Sequence, residues 1–214
     1  MKSQILELLA VALLVVLFTH HTTAGAATFT FATDPFAGST ALTTPGRQVV
    51  GGEPSINFNI ASDVLAFDPT VFGIGSTIFF ANDVAANLPA SGLNVIVLLS
   101  FDDDANSATP FGAGNAANLI ANQITSPGAG FFIYFNSSLD VPRLVFSTDL
   151  DDNTSDLKIL ARFSNLAGQT GRDALVTFAE TNFAITPGNA VPESGTLALL
   201  GLGLAGLAFS RRKR

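Results

Sequence analysis

Two short acidic runs hold the densest chemistry in this 214-residue chain. The first is Asp102-Asp103-Asp104-Ala105-Asn106. The second is Asp149-Leu150-Asp151-Asp152-Asn153-Thr154-Ser155-Asp156. Carboxylates crowded on one loop repel each other, and a hard cation such as Ca²⁺, which favours several oxygen ligands, relieves that repulsion. Asp149, Asp151, Asn153 and Ser155 fall at alternate positions, as in an EF-hand loop. Thr154, however, stands where that loop needs glycine, and Leu160 where it needs a bidentate glutamate, so the run is not an EF-hand. The candidate Ca²⁺ ligands are Asp102, Asp104, Asn106, Asp149, Asp151, Asn153 and Ser155. The plainer reading is two solvated turns in which Asp and Asn act as turn formers and no cofactor is needed.

Other chemistries are narrowly limited. The chain has no cysteine, and its two histidines, His20 and His21, lie in the first 26 residues. The remainder therefore lacks thiolate and imidazole, which excludes cysteine nucleophiles, Ser-His-Asp triads and most Zn²⁺ sites. Paired carboxylates of the glycosidase kind remain available. Glu53 and Glu180 are the glutamates between residues 27 and 186, with Asp63, Asp68, Asp83 and Asp173 as conceivable partners. No spacing singles out a pair. Lys158 would need burial to act as a nucleophile, and it is expected to pair with surface acids instead. The expectation is a protein without enzymatic activity, with a carboxylate-pair hydrolase as the remote alternative.

Binding competes better than catalysis. Sugar-binding sites use aromatic platforms, and this chain has nineteen Phe, one Tyr and no Trp. Phenylalanine offers no polar handle, so most of these rings are expected in the core. Tyr134 is expected on a strand surface, its hydroxyl bonded to a neighbour.

The elements that must position these residues read as strands. Thr28 to Ala32 alternates Phe with Thr, and Ser55 to Ile60 alternates Ile and Phe with Ser and Asn. Both show the period of two that marks a half-buried strand. Thr33 to Pro54 reads as a long Gly-, Pro- and Thr-rich loop. Further strands are expected at Val64–Phe67, Thr77–Ala81, Leu93–Phe101, Phe131–Phe135, Arg143–Thr148, Asp156–Ser164 and Leu175–Ile185, with the best hairpin around Ser137–Pro142. Gly114 to Ile124 carries the helical spacing of Ala116, Ala117, Leu119, Ile120 and Ile124, with Asn115 as its cap. The fold class is mainly β: an antiparallel sandwich or jelly-roll-like domain with one short helix.

Charge separates this body from both ends. Residues 28–190 hold five cations (Arg47, Arg143, Lys158, Arg162, Arg172) against fifteen acids, a formal charge of −10. Such a surface repels nucleic acid and anionic lipid. About 160 residues suffice for one domain with its own core.

The ends read as addresses. Lys2 followed by an apolar run from Ile5 to Phe18 and the small residues Ala24-Gly25-Ala26 fits a signal helix for Sec-type export, cut after Ala26. At the other end, Val191-Pro192-Glu193-Ser194-Gly195-Thr196 leads into an uncharged helix, and Arg211-Arg212-Lys213-Arg214 closes the chain. Gly195 to Ser210 makes a helix of about 24 Å, short of the roughly 30 Å hydrocarbon core. The basic end should stay cytoplasmic.

This tail resembles the PEP-CTERM sorting domain of Gram-negative bacteria. Val191, Pro192, Glu193, Gly195, Thr196, the helix and the basic end match the pattern, and Ser194 stands where a second proline is usual. The resemblance implies an exosortase-like processing enzyme as partner, an inner-membrane-anchored intermediate, and a final place at the cell surface or in an extracellular matrix of exopolysaccharide or biofilm. The division is then a signal peptide (1–26), a β-rich secreted domain (27–186), a linker (187–190) and the sorting signal (191–214). A Ca²⁺-dependent adhesin or glycan-binding module is the main alternative.

Overall fold

The computed structural model describes residues 25–186; the expected signal helix, linker and hydrophobic tail helix lie outside that range. In chain order the strands are β1 (Thr28–Phe31), β2 (Val49–Val50), β3 (Ser55–Ile56), β4 (Val64–Phe67), β5 (Phe80–Asp83), β6 (Val95–Leu98), β7 (Gly130–Asn136), β8 (Val141–Ser147), β9 (Leu157–Phe163) and β10 (Phe183–Ile185). Among the described residues three α-helices join them, rather than the one expected: α1 (Pro69–Phe72), α2 (Ala113–Ala121) and α3 (Gly168–Ala174). The fold is mainly β, as the alternating patterns require.

The strands form two sheets. A small one has the order β1-β4-β10, and a larger one runs β2-β9-β8-β7-β6-β5, with β3 also on β9. The expectation of antiparallel pairing holds only for β7-β8-β9. Every other pairing among the described residues is parallel. The reason lies in the connections. A parallel pair needs a crossover, and α2 supplies one between β6 and β7, while a 3₁₀ turn at Ala85–Asn87 lies between β5 and β6. The expected β7–β8 hairpin forms, but Val141 and Pro142 already pair in β8, so the turn is tighter than Ser137–Pro142, and it places Asp140 at φ 55°.

One core lies between the sheets. Phe58, Leu65 and Phe67 meet Val97, Phe131, Ile133, Phe146 and Phe163 there, all buried. Phe67 of β4 stacks on Phe131 of β7 with centroids 3.7 Å apart. A second cluster fills the other face of the large sheet, where Ala116, Ala117 and Ile120 of α2 cover Ile96, Phe132, Tyr134 and Val145. Period-two burial on β7 thus feeds one cluster with Phe131 and Ile133 and the other with Phe132 and Tyr134. Asn115 does not cap α2 from outside. It sits inside the first turn and accepts the Gly112 N–H at 3.1 Å.

Three other expectations change. Leu175–Ile185 is not one strand: 3₁₀ turns at Leu175–Thr177 and Glu180–Asn182 precede β10. Asn182 causes part of this by holding the Ala179 N–H and the carbonyls of Ile60 and Asp63, so local side-chain bonds replace a ladder. Ser55–Ile60 keeps strand pairing only at Ser55–Ile56, because Asn165 clamps both backbone groups of Phe58. The long loop from Thr33 contains β2, which docks on β9.

Candidate functional site

The two acidic runs leave the large sheet at opposite ends. β6, which precedes Asp102, runs parallel to β7, whereas β8, which precedes Asp149, runs antiparallel to it. The runs therefore do not merge into one site. Asp102, Asp103 and Asp104 bring their carboxylate oxygens within 4.8 Å of one another, all exposed, and no acid of the second run joins them.

Local hydrogen bonding shapes the first run. Asp102 Oδ1 accepts the Asp104 N–H at 3.0 Å, and Asp104 Oδ1 accepts the Asn106 N–H at 2.9 Å. These are Asx turns, in which a carboxylate replaces a backbone acceptor. The Asp104 N–H holds the Asp102 carboxyl below the usual carboxylate range. Asn115 at the start of α2 donates to Asp103 Oδ2 at 2.7 Å. Asn106 Oδ1 is occupied by the Ala108 N–H at 3.2 Å.

The second run is more heavily committed to the fold. Asp149 Oδ1 accepts the Gly128 N–H at 2.8 Å and the Asp151 N–H at 3.3 Å. Asp152 Oδ1 accepts both the N–H and the hydroxyl of Thr154 at 2.7 Å, and these donors hold its carboxyl down. Asp151 goes the other way: desolvation, then the neighbouring Asp149 and Asp152, push its carboxyl up. Asp156 accepts the backbone N–H groups of Leu42 and Gln48, each at 2.6 Å. Ser155 is buried, and its carbonyl accepts from Arg47 Nε at 3.1 Å. Asn153 is exposed. The run is chiefly a strap that fastens the Leu42–Gln48 segment to β9.

Of the acids named as conceivable hydrolytic partners, three hold local hydrogen bonds. Asp68 caps α1 through the Thr70 N–H, and Asp83 binds the Val84 N–H and the Asn87 amide. Asp173 takes the Gln169 amide, and Glu180 is exposed in a 3₁₀ turn. Lys158 does not meet a surface acid: its Nζ donates to the Gly51 carbonyl at 2.6 Å. Tyr134 is fully buried rather than on a surface, and its hydroxyl accepts from Asn136 Nδ2 at 2.9 Å. Burial pushes that phenol up.

Sequence reasoning named Glu53 only as a conceivable hydrolytic carboxylate and missed the charge centre it forms. Glu53 Oε1 receives Arg143 at 2.5 Å and Arg162 at 3.2 Å, and its side chain is 2% exposed. Burial pushes this carboxyl up, but its own N–H and the two guanidinium groups outweigh that and hold it below the usual range. The partners lie too far along the chain for any spacing rule to join them. Beside Glu53, an open groove of about 360 Å³ is lined by Thr30, Asp34, Lys158 and Leu160 among others.

Among the described residues no helix is long and apolar enough to cross a membrane. The sorting residues Val191, Pro192, Glu193, Ser194, Gly195 and Thr196, and the basic end Arg211, Arg212, Lys213 and Arg214, lie outside the described range. Comparison with known families places them. Residues 190–213 match the PEP-CTERM protein-sorting motif. That motif implies an exported protein, held in a membrane as a sorting intermediate and processed by an exosortase-like enzyme. No curated protein and no solved structure matches the chain.

Proposed function

We propose that the chain is a non-enzymatic cell-surface or matrix protein, delivered by its tail and associated with exopolysaccharide or biofilm. The observation that carries this reading is the sorting motif at residues 190–213. The body supports it in two ways. Its two sheets, read as a sandwich-like body, share a Phe-rich core, and its carboxylates serve turns, caps and straps. A charge of −10 on residues 28–190 favours release from an anionic membrane surface once the basic end is gone.

Expression of the full chain in a Gram-negative host with an exosortase-like system tests it. The mature protein should lack Arg211–Arg214 by mass spectrometry and should fractionate with the surface or matrix. Truncation after Thr186 should abolish that sorting. A mature chain that still ends at Arg214 would sink the processing claim. The adhesin alternative predicts retention on immobilised polysaccharide that a Ca²⁺ chelator abolishes; chelator-independent behaviour rejects it.

A further inference from the structure

Ala27 begins the folded body, and a buried carboxylate meets it there. Asp63 is 6% exposed. Its Oδ1 accepts the Ala27 N–H at 2.9 Å and the Ser62 hydroxyl at 3.1 Å, and its Oδ2 accepts the Asn59 N–H at 2.9 Å. All three donors are neutral. Among the described residues no Lys or Arg forms an ion pair with Asp63. Burial pushes the carboxyl up, but the three donors outweigh it and keep the group ionised over a wider range. A carboxylate removed from water without a counter-charge is costly, and a cation at this place would complete it.

The surrounding backbone fixes Ala27 beside this carboxylate. The Ala27 carbonyl accepts the Val64 N–H at 2.9 Å, so Ala27 is held on the first rung of the β1–β4 ladder. Asn182 Nδ2 donates to the Asp63 carbonyl at 3.0 Å and ties the same corner to the residues before β10. Gly25 and Ala26 are exposed, so the Ala26–Ala27 bond lies where the chain passes from solvent into the fold.

We propose that export cleavage between Ala26 and Ala27 supplies the missing cation, the new Ala27 α-ammonium pairing with the Asp63 carboxylate. This rests on the reading of residues 1–26 as a cleaved signal peptide. Hydrolysis consumes one water: the C–N bond breaks, the Ala26 carbonyl carbon takes the water oxygen and leaves as a carboxylate. Both water protons end on nitrogen, giving an ammonium in place of the amide N–H. That ammonium occupies the position of a nitrogen already 2.9 Å from Oδ1. A cut one or two residues earlier would leave the charge on the exposed stretch instead. The mature protein thus fastens its small sheet with an ion pair that the precursor cannot form.

The test uses the full chain, produced with its leader and purified after export. N-terminal sequencing should give Ala27 as the first residue. Any other first residue overturns the proposal and places the fault in the cleavage reading. The α-amine is then acylated near neutral pH in folded and urea-unfolded protein. Pairing with a carboxylate raises an amine by about one pKa unit, so labelling should be about tenfold slower in the folded state. Asp63→Asn should remove most of that protection. Equal labelling of folded and unfolded wild-type protein overturns the pairing while leaving the cleavage intact, and needs no variant. Full protection in Asp63→Asn also overturns it, because burial alone would then explain the slowing.

Discussion

Arg143 stands directly opposite Arg162 in the β8–β9 ladder. Like charges at opposed positions destabilise an antiparallel pair, and Glu53 reverses that here by accepting from both. Because Glu53 lies between β2 and β3, the contact also fixes both short strands to the edge of β9. We expect Glu53→Ala to cost about 2–3 kcal/mol. That is less than the roughly 3–5 kcal/mol of a broken, fully buried pair, since Arg162 is 39% exposed and partly screened. Urea unfolding should show part of the loss recovered in Glu53→Ala/Arg162→Gln. A double variant no more stable than the single one would reject the repulsion account.

Acid should reveal the same group. The Glu53 carboxyl is held below the usual range, so it stabilises the fold above its unfolded value and loses that contribution as pH falls through the folded value. Asp63 and Asp152 shift in the same direction. Thermal melts taken from about pH 7 to about pH 3 should therefore show declining stability below the ordinary carboxylate range. Glu53→Gln should make the decline shallower. An identical slope in the two proteins would remove Glu53 from the explanation.

The Asp156 strap separates structural from cation-binding roles in the second acidic run. Asp156→Ala frees the Leu42 and Gln48 N–H groups that now donate to it. Hydrogen bonds to a charged group contribute roughly 1.5–3 kcal/mol each, and the exposed half of the strap can rehydrate, so a loss of about 2–4 kcal/mol is expected. The loss should be the same with added Ca²⁺ or with chelator. A loss seen only with Ca²⁺ would assign the run to a metal.

Two glycines give a paired steric test. A Cβ at Gly171 of α3 would lie 1.8 Å from the Leu166 carbonyl oxygen, whereas one at Gly75 meets nothing within 4 Å and needs no positive φ. Gly171→Ala should cost at least about 1–3 kcal/mol, because backbone must move. Gly75→Ala should be neutral or gain up to about 1 kcal/mol through a less flexible unfolded chain. Circular dichroism melts of both decide it; equal effects would contradict the α3 packing.

Local patterns carried well from sequence to structure. The apolar run before Asp102 became the wholly buried β6, and the spacing of Ala116, Ala117 and Ile120 became the covered face of α2. Phe131–Phe135 and Arg143–Thr148 became the hairpin because strand period and turn chemistry are both short-range. Strand direction was not legible, since β1 meets β4 only after a long excursion and alternation looks the same in either direction. The partners of Glu53 and Asp63 were missed for a related reason. Glu53 finds Arg143 ninety residues on, and Asp63 takes a backbone N–H thirty-six residues back, so no motif spacing records either. The acidic runs were conspicuous in composition, yet their carboxylates accept from backbone N–H groups, some local and some distant in sequence, which are present in every chain and leave no signature.

The small sheet has a mechanical consequence. The chain joins it at β1 and leaves it after β10, and both strands run parallel to the central β4. The joining and leaving points therefore sit at opposite ends of one short ladder. When the segment beyond Thr186 is held and the body is dragged from its other end, the force runs along the strand axes. The rungs on β4 are then strained together in shear, whereas a hairpin pulled at its open end would give way one rung at a time. Tension on a tethered passenger is thus met first by the geometry in which β-ladders resist it best.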